Sequence, residues 1–341
     1  MKLIPVEKAV GAVICHDMTQ IIPGEFKGRR FKKGHVIEES DIPLLISMGR
    51  ENIYVWESKE GCLHENEAAA RLKEIVGGEG LHASPVSEGK IIFSACHDGL
   101  LKIDTDLLLA INMLGQVIVS TLHNNYPVKR GQQVGGTRAI PLLIGEDVIR
   151  RAEEIAGGSK IIQLRSYKKL KVALVTTGNE IYKGLVKDKF GPLLKDKIES
   201  YGSELLGQVV VPDDEERIAG AIKKYLNLGA ELILCTGGMS VDPDDLTPRA
   251  IKKAGAEIVS YGAPVLPGST FLLAYHGPVP ILGLPGGVIF FKTSIFDLFF
   301  PRLLAEEKLT AEDIALCGHG GYCIGCGECV YPACSFGKGS A

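Results

Sequence analysis

The chain has 341 residues, more than one domain usually holds, so two or three domains are expected. Its 38 basic residues stand against 41 acidic ones, a formal charge of −3, which offers no basic field to a nucleic-acid backbone or an anionic membrane. The opening MKLIPVEKAVGAVICHD lacks a long apolar core and the apolar patch 288–300 is broken by Lys292 and Asp297, so a cytoplasmic chain without a membrane span is expected.

Residues 1–80 read as a small α+β domain. Ile42, Leu45 and Ile46 recur at helical spacing after the Ser40-Asp41 pair, which predicts a capped helix over 38–48, followed by a strand at 52–55. The basic residues Lys27, Arg29, Arg30, Lys32 and Lys33 read as a solvated loop, and His16-Asp17 as a turn. ENEAAARLKEIV is a helix that stops on GGEG, a hinge-like tract. Residues 85–168 read as a second, strand-rich α+β domain, with apolar runs at 90–94, 100–103, 117–121 and 139–144. QQVGGT (132–137) and His97-Asp98 both read as turns.

From Lys171 onward apolar strands alternate with helices. KVALVTTG is a buried strand, PLLKDKIESYG a helix ending on Gly202, and QVVV a strand leading to a helix capped by Asp213 or Asp214. Ile218, Ile222, Tyr225 and Leu226 line one face of that helix. ELILC, AEIVS and PVPILGL are further strands, with helices from about Thr247 and after Gly287. Such alternation over 169–305 implies an α/β domain, a parallel sheet covered on both faces.

Three strands of this domain end in comparable turns: VTTGNE (175–180), LCTGGMS (234–240) and LGLPGG (282–287). Ligands of parallel sheets bind beyond the carboxyl ends of the strands, and Gly-rich turns there offer backbone N–H groups to an anion. Asp242, Asp244 and Asp245 follow the second turn. Carboxylates beside a phosphate would repel it unless a hard cation such as Mg²⁺ lay between, so the stretch reads as metal-bridged phosphate chemistry.

In order and interval, TTGNE, VVPDD, TGGMSVDPDD, APVLPG and LGLPGG resemble the molybdopterin-binding domain of the molybdenum-cofactor biosynthesis family, which includes MogA/MoaB-type adenylyltransferases and MoeA-type, gephyrin-like insertases. The resemblance covers about 169–305 and implies a MogA/MoaB-like parallel (mixed) sheet. It implies that Thr177, Gly178, Glu180, Thr236, Gly237, Gly238, Ser240, Pro285, Gly286 and Gly287 contact the pterin or its phosphate. It also implies catalytic roles for Asp245 and Asp188, with Mg²⁺, ATP and molybdate as reactants or cofactors, and a homo-oligomer. Departures from the family pattern are Asn179 where an acid is common, Leu266 and Ser269 in place of lysines, and Gly287 in place of Asn. The pterin frame is kept while the evidence for insertion chemistry is diluted.

Residues 306–341 form a Cys-rich tail, in which Cys323, Cys326, Cys329 and Cys334 follow C-x2-C-x2-C-x4-C. Closely spaced thiols on a Gly-rich loop point to a metal, either tetrahedral Zn²⁺ or a [4Fe–4S] cluster, although the last gap is longer than the ferredoxin x3. Three functional readings follow. One is an enzyme that adenylylates the pterin or inserts molybdate. Another is a carrier that delivers cofactor to a client molybdenum oxidoreductase, and the third is nucleotide hydrolysis as in CinA-like relatives.

Overall fold

The computed structural model describes residues 2–55, 61–240, 242–243 and 245–339. The chain forms two compact units: Met1–Ser94 with Ile103–Leu122 and Gln133–Gln163, and Ala95–Lys102 with His123–Gln132 and Leu164–Ala341. Among the described residues no helix is long and apolar enough to cross a membrane.

In the first unit, strand Lys2–Pro5 pairs antiparallel with Asn52–Val55, and Met18–Ile22 forms a hairpin with Phe26–Phe31. Helix Asp41–Ser47 closes a small core of Val6, Ile14, Phe31, Leu45 and Ile53. Part of the expected basic loop is therefore strand, with Arg29 donating to Asp17 at 2.7 Å and Arg30 to Gln20 at 2.9 Å. Helix Glu65–Val76 begins under a capping box of His64 and Glu67 and ends at Gly77. Its buried Ala68, Leu72, Ile75 and Val76 recur at the helical period.

QQVGGT is not a turn. Strand Gln133–Ala139 lies between Lys90–Ala95 and Val117–Thr121 in a four-stranded sheet completed by Leu81–Ala83. A Cβ on Gly135 would stand 2.6 Å from the Ser120 carbonyl oxygen, and one on Gly136 2.9 Å from that of Ile91. Glycine there permits close strand approach beside a register shift between Gln133 and Gly135. The expected strand 139–144 is likewise divided. The first strand stops at Ala139, just before Pro141, whose ring nitrogen cannot donate, and Leu143–Gly145 pairs separately with Cys62–His64.

The second unit is built on a six-stranded sheet. Its strands are β1 (Lys171–Thr177), β2 (Glu204–Val211), β3 (Leu232–Thr236), β4 (Glu257–Tyr261), β5 (Leu272–His276) and β6 (Val279–Leu284), in the order β2-β1-β3-β6-β5-β4. β2, β1, β3 and β6 run parallel, and β5 pairs antiparallel with both β6 and β4, so the sheet is mixed. The period of two divides β1 between two cores: Val172 and Leu174 face one, Ala173 and Val175 the other.

Helices Phe190–Ser200 (α1) and Ile295–Leu304 (α2) cover the first face with Leu194, Ile198, Phe296 and Phe299. Helices Glu215–Asn227 (α3) and Thr247–Lys253 (α4) cover the second with Ile218, Ile222, Tyr225 and Ile251. Each such side chain taken fully from water is worth about 1.5–3 kcal/mol. Asp214, not Asp213, caps α3, its carboxylate accepting from Arg217 N–H. The tail is part of this core. Cys317 and Phe336 are buried in it, and Cys323 N–H donates to Leu266 at 2.8 Å while Leu266 N–H donates to Gly321 at 2.8 Å.

Candidate functional site

Register brings the Gly-rich turns together. Thr176 pairs opposite Thr236, and Thr236 opposite Leu284, so β1, β3 and β6 end side by side. Each turn begins within a residue or two of that line.

In the first turn Gly178 has φ +141°, and Asp213, just beyond β2, ties down its neighbours. Asp213 accepts from the Thr177 hydroxyl at 2.7 Å and from Asn179 N–H at 2.8 Å. In the second turn Gly237 and Gly238 have φ of +85° and +56°, conformations that favour glycine. A Cβ on Gly237 would fall 2.2 Å from the Thr177 carbonyl oxygen, so glycine also allows the first two turns to touch. The carbonyls of the second turn are held from behind. Thr247 donates to Gly237 O at 2.8 Å, and the Tyr261 hydroxyl lies 3.1 Å from Met239 O and 3.2 Å from Ser240 O.

Among the described residues, the N–H groups of Gly238, Met239 and Ser240, and those of Gly286 and Gly287, donate to no protein acceptor. With carbonyls engaged and amides unengaged, the second and third turns form the kind of nest that takes an anion. In the third turn Gly286 precedes the short helix Gly287–Phe290, and a Cβ on Gly287 would meet Pro267 at 3.3 Å. That contact seats the APVLPG loop against the turn.

The acids differ in their surroundings. Asp188 accepts from Phe190 N–H at 2.8 Å and Gly191 N–H at 3.1 Å, at the start of α1. It also accepts from Gln208 Nε2 at 2.6 Å, and Gln208 in turn reaches the Thr176 hydroxyl at 2.9 Å. Both its oxygens are thus used in positioning. Asp245 is half-buried, and its N–H donates to Asp242 O at 3.0 Å. Asp244 lies outside the described residues. Glu180 is exposed, with its carboxylate against Gly178. Thr236 is fully buried and donates to Thr176 at 3.2 Å. Below it in β3, burial pushes the Cys235 thiol up to about 12, which makes it a core residue.

The tail thiols are placed differently from the expected cluster. Among the described residues no group of three or more His, Cys, Asp or Glu side chains is arranged to hold a metal ion. Cys326 is exposed, Cys323 and Cys334 pack against the core, and Cys329 Sγ lies 3.1 Å from the Thr293 hydroxyl.

Asp213, Gln208 and Tyr261 were not among the expected site residues. Asp213 was legible only as half of a capping pair. Its link to the first turn depends on β2 pairing beside β1, with Val211 opposite Thr177. Tyr261 comes from β4, at the far edge of the sheet.

Residues 173–305 match the model of a probable molybdopterin binding domain, and residues 3–57 match a domain of unknown function, DUF8806. A molybdopterin molybdenumtransferase of Synechococcus elongatus is 25% identical over 199 residues, which are 48% of this chain and 48% of that protein. A molybdopterin adenylyltransferase of Pyrococcus furiosus is 28% identical over 95 residues, 28% of this chain and 56% of that one. The chain spans about half the length of these curated relatives. Among solved structures, a molybdopterin biosynthesis MoeA protein from Pyrococcus horikosii aligns over 89% of this chain and 74% of its own, at 15% identity and a TM-score of 0.34. At residues 173–305, then, the chain is similar to the probable molybdopterin binding domain found in proteins of molybdenum-cofactor biosynthesis.

Proposed function

We propose that the turns at Gly178, Gly237-Gly238 and Gly286-Gly287 hold molybdopterin, its phosphate on the unengaged amides, for a step of molybdenum-cofactor biosynthesis. The observation that carries this reading is the alignment of three Gly-rich turns at neighbouring strand ends within the matched domain. The step is adenylylation of the pterin from ATP, or insertion of molybdate, with Asp245 as the acid at the site.

Mg²⁺ binds through one or two carboxylates together with phosphate and water oxygens, rather than in an all-protein cage. Asp245 fits that mode. Asp188 does not offer the same freedom, because three N–H donors already occupy its oxygens. When bound, the ion would neutralise phosphate charge. The protein's part is to hold the pterin phosphate against the turns and to keep the first turn in place through Asp213.

The engagement of Asp188 favours a second reading, a non-catalytic carrier that hands the cofactor to a molybdenum oxidoreductase. Incubation with molybdopterin, ATP, Mg²⁺ and molybdate separates the two, with Asp245→Asn as control. Formation of adenylylated pterin or incorporation of molybdenum, lost in Asp245→Asn, is the outcome expected for the enzyme. Retention of pterin with neither product selects the carrier. Failure of the wild-type protein to retain molybdopterin at all overturns both.

A further inference from the structure

The four-stranded sheet of the first unit buries one face and leaves the other open. Ile91, Val119 and Thr137 point inward and are at most 4% exposed. The period of two turns Lys90, Ile92, Ile118, Ser120, Gly136 and Arg138 to the opposite side. They line a groove of about 500 Å³ that continues to Leu122 and Gln133. The open face of an antiparallel sheet is ordinarily polar, yet this one carries three aliphatic side chains, of which Ile118 is 45% exposed. The groove is low in the middle. A Cβ on Gly136 would stand 2.9 Å from Ile92 Cδ1, so its absence lets Ile92 lie against the backbone.

Register orders the lining into rows. Arg138 lies opposite Lys90 on one side and Ile118 on the other, and Gly136 lies opposite Ile92 and Ser120. Successive rows on one face are about 7 Å apart, two strand residues on. One end is therefore cationic, and the groove turns apolar and then neutral towards Leu122 and Gln133. Lys90 and Arg138 are exposed, and among the described residues no carboxylate lies within ion-pair distance of either. Glu65 feels the Arg138 charge, but it is buried at the head of helix Glu65–Val76 and outside ion-pair distance. The lining itself contains no carboxylate, and among the described residues the Ser120 hydroxyl has no protein partner.

Residues 135–138 pair on both sides, so their amides are spent on the ladders and only side chains can meet the head of a ligand. Two adjacent cations, one of them a planar fork, match the two oxygens of a carboxylate, whereas a phosphate would keep a further oxygen without a donor. The aliphatic rows beyond them match an apolar body. We infer that this groove binds a small organic acid, its carboxylate at Lys90 and Arg138 and its apolar body along Ile118, Ile92 and Leu122. None of these residues enters the pterin reading, and either can fail without the other.

Octanoate, octanol, acetate and octyl phosphate are titrated into the full chain by calorimetry, and the Ile92 and Ile118 Cδ1 resonances are followed on methyl-labelled protein. One octanoate per chain should bind and shift both methyls, with acetate and octanol each at least about tenfold weaker, because each lacks half of the contact. Lys90→Gln combined with Arg138→Gln should weaken octanoate by at least about tenfold and leave octanol unchanged. Ser120→Trp, which fills the middle row, should weaken both. All three positions are exposed, so the fold should stand, and an unshifted urea midpoint checks it. No saturable octanoate binding, more than one molecule per chain, or unmoved Ile92 and Ile118 methyls overturns the site. So does octanoate affinity that survives Ser120→Trp. Octanol as tight as octanoate, or octanoate unaffected by the double change, overturns the role of the cations. Acetate as tight overturns the apolar body, and octyl phosphate binding more tightly overturns the carboxylate.

Discussion

Two glycine pairs in this chain look alike in sequence and do opposite things. Gly135-Gly136 lies in an inner strand of the first unit, paired on both sides. Gly237-Gly238 turns the chain at the end of β3 with positive φ at both residues. At Gly135 and Gly237 alike a Cβ would run into a carbonyl oxygen, of Ser120 in one case and Thr177 in the other. Close backbone approach is therefore the shared property. The left-handed conformation, and the unengaged amides that come with it, belong to the second pair alone.

Substitutions sharpen that contrast. Gly237→Ala adds a Cβ 2.2 Å from a backbone oxygen at a residue with φ +85°. Strain and overpacking together should cost about 3 kcal/mol in urea unfolding, with molybdopterin retention lost. Gly135→Ala meets the Ser120 oxygen at 2.6 Å without the conformational penalty. About 2 kcal/mol is expected, with pterin retention unchanged once the protein is folded. A loss of retention in both variants would break the contrast.

Asp213→Ala removes two hydrogen bonds that anchor the first turn. Unfolding should show a loss of about 1–2 kcal/mol, and equilibrium dialysis a weaker affinity for the pterin. Unaltered affinity would mean that the first turn holds its shape without this tie. Tyr261→Phe is the mildest change, because it deletes a hydroxyl at the Met239 and Ser240 carbonyls and keeps the ring. A loss of at most about 1 kcal/mol is expected, read as up to about a fivefold rise in Kd.

What was legible in the sequence followed from local pattern. Continuous apolar runs of strand length marked β1, β3 and β6, a 3.6-residue repeat marked helix α3, and strand-then-glycine marked the three turns. The acids were harder to grade, since Asp188, Asp213 and Asp245 all follow turns and only tertiary pairing separates a tie from a candidate for chemistry. QQVGGT misled because a glycine pair does not announce the sign of its φ. The tail thiols were legible only as a spacing. Regular thiol spacing suggested one cluster, yet hydrogen bonding to Leu266 and packing of Tyr331 and Phe336 on the apolar core distribute those thiols over different surroundings.

The alignment of Thr176, Thr236 and Leu284 also sets a length. Neighbouring strands lie about 4.8 Å apart, so the outer two of these turns are separated by about 10 Å. A bare phosphate or molybdate ion is too short to touch all three, though it can bridge two neighbouring turns. A fused ring carrying a phosphorylated side arm can bridge them. The sheet thus acts as a ruler, selecting by reach before any side chain selects by charge.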